Sequence, residues 1–222
     1  MSKSPRSIRA DGEATRARIL EAAGELIAAN GYAHTTSKAI AARAEVDVAS
    51  INYHYGSRSG LYQAVLAEGH RRFISMMDLQ ELAGADTTPA EKLERLFVHL
   101  VERATEDKSW NIRILARELL APSSHLDVLL QREVLPKLLV VKRLLSEITG
   151  IPAEDPALVR CLVSVAAPCA MLLVVGPSVP GPLHDILQMP PSTLSRHLHT
   201  FAVAGLEAVS RDYKNRRPGK KR

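Results

Sequence analysis

Aromatic residues are scarce in this 222-residue chain: one Trp, five Tyr and three Phe, 4 % in all. A core must therefore be filled by aliphatic and alanine side chains. There are two cysteines, Cys161 and Cys169, too few for a disulfide framework. They read as buried, reduced thiols. Eight residues apart on a regular helix, they are also too far apart for a redox pair. Long apolar runs are missing too. The longest, Leu162 to Val175, has 14 residues and contains Ser164 and Pro168. A bilayer needs about 20, so the expectation is a buried helix and no membrane partner. The opening MSKSPRSIRA has no apolar stretch of the secretory kind, which points to the cytoplasm. There is no phosphate loop, no HExxH and no CxxC, and Gly176-Pro177-Ser178-Val179-Pro180-Gly181 lacks GxSxG spacing. His197 and His199, two apart on a helix, point to different faces and make a poor metal pair. The expectation is no enzyme, no metal and no cofactor.

Apolar residues make up 46 % and charged residues 24 %, with a net charge of +5 and a pI near 9.4. The excess is uneven: +3 over residues 1–72, −4 over 73–210 and +6 over 211–222. Basic ends suggest a polyanion partner, and an acidic middle argues against uniform coating by nucleic acid. The tail RDYKNRRPGKKR reads as disordered, either solubilising the chain or touching DNA non-specifically. The arm with Lys3, Arg6 and Arg9 precedes the first expected helix. Such arms can reach a minor groove, and an arm without contacts is the equal alternative.

No internal repeat is visible and period-two alternation never persists, so the fold class is all-α. Ile19, Ala22, Ala23, Leu26 and Ile27 form one stripe of a helix over 13–30, closed by Asn30-Gly31. Thr35 or Thr36 caps a short helix to Ala44, and Asp47 caps another to Tyr55. Ser57 starts a long helix to about Leu82. Thr88-Pro89-Ala90-Glu91 is a capping box opening a helix with stripe Leu93, Leu96, Phe97, Leu100 and Val101. Further helices span 109–120, 124–149 with Pro136 kinking or splitting it, 156–175 and 192–211. Residues 176–191, with five prolines, read as a loop or broken turn. That makes about nine helices. The domains follow: a basic arm over 1–12, a three-helix domain over 13–57, a larger bundle over 58–210, and a basic tail over 211–222.

Residues 36–55 carry the chemistry. They read as helix, four-residue turn, helix. Ile40, Ala41 and Ala44 face inward, Val46 plugs the turn, and Ile51 and Tyr55 anchor the second helix. This is a helix-turn-helix, whose second helix fits a major groove about 12 Å wide. With Ile51 and Tyr55 inward, Ala49, Asn52 and Tyr53 share the outer face.

The stretch TRARILEAAGELIAANGYAHTTSKAIAARAEVDVASINYHYGSRSGLYQAVL, about residues 14–66, resembles the N-terminal domain of the TetR/AcrR transcriptional regulators. The residues in register are Gly31-Tyr32, Thr35, Ile40-Ala41, Val46, Tyr53-His54-Tyr55, Ser57 and Leu61-Tyr62. The Arg117–Leu135 region and the proline-bearing helix after it resemble, more weakly, a CerR-like C-terminal domain. The resemblance implies DNA contacts at Thr35, Thr36 and Lys38 around one helix start, at Val48, Ala49, Asn52 and Tyr53 on the recognition helix, and at His54 and Arg58 toward the backbone. Asn52 suits adenine N6 and N7, and Val48 and Ala49 suit thymine methyls. A structural role for His54, and plain solvation for Lys38 and Arg58, stand beside these. Two departures stand out. Glu45 occupies a turn position where the family usually has Gly, and Asn52 replaces its commoner Tyr.

The family dimerises through its C-terminal helices and encloses a small-molecule pocket. The resemblance thus implies a double-stranded operator, a second copy of the chain and an effector as partners. The expected dimer residues are Leu162, Leu194, Leu198, Phe201 and Gly205. Pocket candidates are Trp110, Arg113 and Arg117 on one helix and Phe73, Met76 and Met77 on the long helix before it. A flat or anionic effector would suit them. Ordinary packing, with an arginine paired to Glu118 or Glu102, is the alternative. The expected function is a DNA-binding regulator, a repressor as the family leans, released from an inverted repeat by an effector. The competing class is a small-molecule sensor that binds no DNA and acts through a protein partner.

Overall fold

The computed structural model describes residues 5–105, 109–174 and 181–216. Among these residues the chain forms only helices. In order they are α1 (Pro5–Asn30), α2 (Ser37–Ala44), α3 (Val48–Tyr55), α4 (Arg58–Phe73), α5 (Met76–Gly84), α6 (Pro89–Thr105), α7 (Trp110–Leu120), α8 (Leu126–Leu129), α9 (Leu135–Thr149), α10 (Pro156–Val174), α11 (Pro182–Leu187) and α12 (Pro191–Arg216). A π-helical turn, Leu130–Val134, joins α8 to α9. They divide into two compact units, residues 1–72 with 108–132 and residues 73–107 with 133–222. The first unit is larger than the 13–57 read from the sequence, because α4, α7 and α8 belong to it.

In the first unit, α1 packs on α2 and α7 through a buried stripe of Ile19, Ala22, Ala23, Ile27 and Ala28. The helix starts at Pro5, eight residues before the expected Glu13. Proline suits the first helical position, where the missing N–H has no partner to lose. Arg6 and Arg9 therefore stand on helix, not on an extended arm, and Lys3 lies outside the described residues.

The long helix expected from Ser57 to about Leu82 is two helices. Ser75 interrupts it with a reciprocal cap: the Asp78 N–H donates to Ser75 Oγ (3.0 Å), and the Ser75 N–H donates to the Asp78 carboxylate (3.3 Å). The sequence S-x-x-D carries that signal. The helix expected over 124–149 is also divided. Pro136 has no N–H and crowds the carbonyl four residues back, and the π-helical turn Leu130–Val134 precedes it where the α-helical ladder lapses.

In the second unit α6 is the central element. It buries Leu93, Leu96, Phe97 and Val101 and packs on α5, α9, α10 and α12. α10 has 19 residues, longer than the apolar run suggested, with mean hydropathy 2.2, long and apolar enough to cross a membrane by length and composition. A core helix meets the same description. α10 buries Ala157, Leu158, Cys161, Leu162, Val165, Cys169, Leu172 and Leu173 and packs on α6, α9 and α12. Residues 181–191, expected as a loop, include the short α11. Residues 175–180, with most of the Gly176–Gly181 segment, lie outside the described residues.

α12 continues to Arg216, six residues into the expected basic tail. Two tethers explain this. The Ser210 hydroxyl donates to the Thr149 carbonyl (2.5 Å), and the Tyr213 hydroxyl donates to the Asp155 carboxylate (2.7 Å). The Arg216–Asp212 pair (2.9 Å) adds an i, i+4 contact. Residues 217–222 lie outside the described residues.

Candidate nucleic-acid interface

Thr36 caps α2, its hydroxyl accepting from the Ala39 N–H at 3.1 Å. Ile40, Ala41 and Ala44 are buried on its inner face. The helix ends at Glu45, held left-handed at φ 54° and ψ 49°. It is the one non-glycine residue with positive φ among the described residues. An L side chain costs about 1–2 kcal/mol there, and the turn holds it because the Val46 N–H bonds the Ala41 carbonyl at 3.0 Å. Asp47 then caps α3. Its carboxylate accepts from the Ser50 N–H (2.6 Å) and hydroxyl (2.7 Å). These bonds, the Ser50 hydroxyl first, hold the Asp47 carboxyl below its usual range.

The inner face of α3 is set by fully buried Ile51 and half-buried Tyr55, whose hydroxyl donates to the Arg16 carbonyl (2.7 Å) with the Arg16 guanidinium 5.1 Å from its ring. This leaves Val48 (42 % exposed), Ala49, Asn52 and Tyr53 (86 % exposed) on the outer side. The His54 ring stands edge-on to Tyr53 at 5.0 Å. Lys38 is exposed on the first turn of α2.

Two residues expected at DNA are turned inward. Thr35 is 2 % exposed, and its hydroxyl donates to the Gly31 carbonyl at 2.9 Å. Its side chain is a structural pin between α1 and α2. The Arg58 guanidinium lies 4.3 Å from the Tyr32 ring centre and donates to the Tyr32 carbonyl. It fastens the start of α4 to the end of α1. Tyr32 in turn stacks on Tyr62 (4.3 Å), with His125 edge-on to both. The Tyr62 hydroxyl donates to buried Glu118 at 2.9 Å, and Ser123 gives that carboxylate an N–H (2.8 Å) and an O–H (2.6 Å). Burial first, then the Glu118 charge, pushes the Tyr62 phenol well above its usual range. Glu118, expected as an arginine partner, is thus held by a tyrosine and a serine.

The six pocket candidates divide between the two units. Trp110, Arg113 and Arg117 belong to the first unit, Phe73, Met76 and Met77 to the second. Trp110 is committed to packing. A Cβ built on Gly24 would stand 2.5 Å from its ring, Gly69 lies on the same ring, and its Nε1 donates to Glu21 at 2.7 Å. Arg72 stacks over the indole at 4.8 Å and bonds Glu21 at 2.8 Å. Arg113 is exposed, and Arg117 reaches to Gly31. Phe73 is buried, Met76 half-buried, and Met77 is 65 % exposed. The sequence showed the Trp–Arg spacing but not the glycine slot, which needs two other helices.

The dimer candidates also divide. Leu162 and Leu194 are buried within the second unit, and Leu198 is half-buried. Phe201 (74 % exposed) and Gly205 face out. On α10 the outward apolar stripe is Val159, Val163 (59 % exposed), Ala167 and Met171. An almost wholly apolar helix does not reveal in its sequence which face is inner.

The family model for bacterial regulatory proteins of the TetR family matches residues 19–65. A second, for the C-terminal domain of the HTH-type transcriptional dual regulator CecR, matches residues 89–209, more than half of the chain. This is the domain expected above as CerR-like. No curated protein matches the sequence. Similar solved structures include the fatty acid degradation regulator FadR from Bacillus halodurans, with TM-score 0.68 and 17 % identity over 93 % of this chain and 98 % of that one. A TetR-like transcriptional regulator from Rhodococcus sp. RHA1 gives 0.64 and 18 % over 92 % and 98 %. A TetR/AcrR-type regulator from Aquifex aeolicus VF5 gives 0.59 and 19 % over 88 % and 99 %. At these identities the structures show a shared fold. Fold and site together define a DNA-binding transcriptional regulator with an N-terminal helix-turn-helix. The chain belongs to the TetR/AcrR family, in the group with a CecR-type C-terminal domain.

Proposed function

We propose that the protein is a cytoplasmic, non-catalytic repressor that binds an inverted-repeat operator as a homodimer and leaves it when a small-molecule effector binds. The observation that carries this reading is the division of α3. Ile51 is sealed inside while Val48, Ala49, Asn52 and Tyr53 stand outside on a helix capped at both ends. Such a helix is ready to enter a major groove. The exposed apolar stripes of α10 and α12 support a dimer. The reading moves the interface from Leu162 and Leu194 to Val159, Val163, Ala167, Met171, Phe201 and Gly205. Two-fold symmetry would set the recognition helices about one DNA turn, roughly 34 Å, apart and so require an inverted repeat. Effector release needs different affinities for the DNA-competent and incompetent states.

The test is a gel shift on DNA upstream of the protein's own gene, with scrambled competitor, at two salt concentrations. A complex that survives competitor is expected. Lys38→Ala should weaken all duplexes alike and flatten the salt dependence by about one. A shift lost to competitor would reject the operator and favour the DNA-independent sensor.

A further inference from the structure

The cations around the recognition helix are placed unlike those of a guanine reader. From residue 33 to residue 58 the Lys and Arg residues are Lys38, Arg43 and Arg58. Arg43 is bonded to Glu25 at 2.6 Å, and Arg58 is held by Tyr32. Lys38 stands on α2, which in this motif crosses the backbone and does not enter the groove. None of the three is on α3. The commonest specific contact to DNA, an arginine or lysine on guanine O6 and N7, therefore has no donor on α3.

The outer face of α3 offers something else. Its N-terminal residues, which reach base edges first in this motif, are Val48 and Ala49, both exposed and purely apolar. In the major groove the apolar feature of a base pair is the thymine methyl. Ser50 is next, and its hydroxyl is spent on Asp47 at 2.7 Å. Asn52, one turn on, is exposed and brings an amide that fits adenine N6 and N7 together.

We propose, resting on the operator reading above, that α3 reads A·T pairs: thymine methyls through Val48 and Ala49, adenine through Asn52, with no arginine or lysine contact to guanine. Specificity then resides in methyl burial and one amide, and the net charge of the protein contributes only affinity.

The test uses the full-length protein and a duplex selected by it from a randomised pool. The half-site thymines are replaced one at a time by deoxyuridine, which deletes only the methyl. About a fourfold weakening is expected at each thymine touching Val48 or Ala49, the value of one buried methyl. Replacing the Asn52-facing adenine by 7-deazaadenine, which removes the N7 acceptor and keeps the N6 amino group, should weaken binding about fivefold, the loss of one bond of the pair. In Asn52→Ala that penalty should vanish, which assigns the contact to this residue. 7-Deazaguanine at any half-site position should leave affinity unchanged. Indifference to deoxyuridine, or a loss with 7-deazaguanine, would overturn the proposal while leaving the operator intact. Failure to select any competitor-resistant duplex would overturn the operator reading itself, and this proposal with it.

Discussion

Trp110 occupies the space that a side chain at position 24 would need. A Cβ built on Gly24 falls 2.5 Å from indole Cδ2 and 2.6 Å from Cε2, so α1 and α7 meet only because residue 24 is glycine. Gly24→Ala should destabilise the protein by about 1–3 kcal/mol, the usual cost of overpacking a full core. Urea unfolding of the two proteins measures this. Adding Trp110→Phe, which replaces the indole by a smaller ring, should recover part of the loss; equal stability of Gly24→Ala and wild type would show that the slot opens freely.

The Glu21 carboxyl sits between two donors. Burial works against its charge, but hydrogen bonds from Arg72 and Trp110, with the Arg72 charge, outweigh it and hold it below the usual range. A depressed folded-state value means that its stabilising contribution is present above its unfolded value and is lost as pH falls through the folded one. Below about pH 4.5 the wild type should therefore lose stability that Glu21→Gln does not have to lose. Thermal melts of both proteins between pH 3 and 7 check this, and parallel curves would deny Glu21 the role.

Glu45 carries strain at φ 54°. Glu45→Gly should raise stability by about 1 kcal/mol, since glycine adopts this conformation without a Cβ penalty and loses part of the gain to chain entropy. The same change removes a negative charge next to α3, so DNA affinity should rise at low salt and converge with wild type at high salt. A less stable variant would place the strain elsewhere.

Burial pushes the Cys169 thiol up to about 12. It raises Cys161 too, against a smaller opposing effect of Arg160. At pH 8 the Cys169 thiolate fraction is then about one in ten thousand. A disulfide reagent should leave Cys169 unmodified in the native protein at pH 8 and titrate both thiols in denaturant. Rapid native labelling of Cys169 would show that α10 opens.

Phe201→Lys or Val163→Lys should convert the proposed dimer to monomer in sedimentation equilibrium without changing helical content, because both side chains are exposed in the single chain. A mass unchanged by either substitution would move the interface off this face.

The helix-turn-helix was legible because its determinants are local. Thr36 and Asp47 cap three residues ahead, and Ile40, Ala41, Ala44 and Ile51 repeat at helical spacing. The TetR/AcrR assignment followed from the same residues. Where the structure departs from that reading, the deciding partner is local in some places and distant in others. Ser75 broke a helix with a cap that the apolar stripe on either side concealed. Tyr213 prolonged α12 by reaching Asp155, 58 residues away in sequence. The Thr35 hydroxyl and the Arg58 guanidinium, expected toward DNA by position, bond the Gly31 and Tyr32 carbonyls. The glycine slot that packs Trp110 was not legible, because it lies on α1 and α4, 86 and 41 residues earlier.

The same indole gives the protein a built-in optical reporter. Trp110 is the only tryptophan, so all indole emission comes from one place, where α1, α4 and α7 converge. Its Nε1 is bonded to Glu21 and its ring is covered by Arg72. Any sliding of α7 against α1 or α4 changes the field on that ring and its access to quencher. Emission wavelength and iodide quenching can thus follow the DNA-binding unit, without an attached dye, as duplexes or small molecules are titrated in.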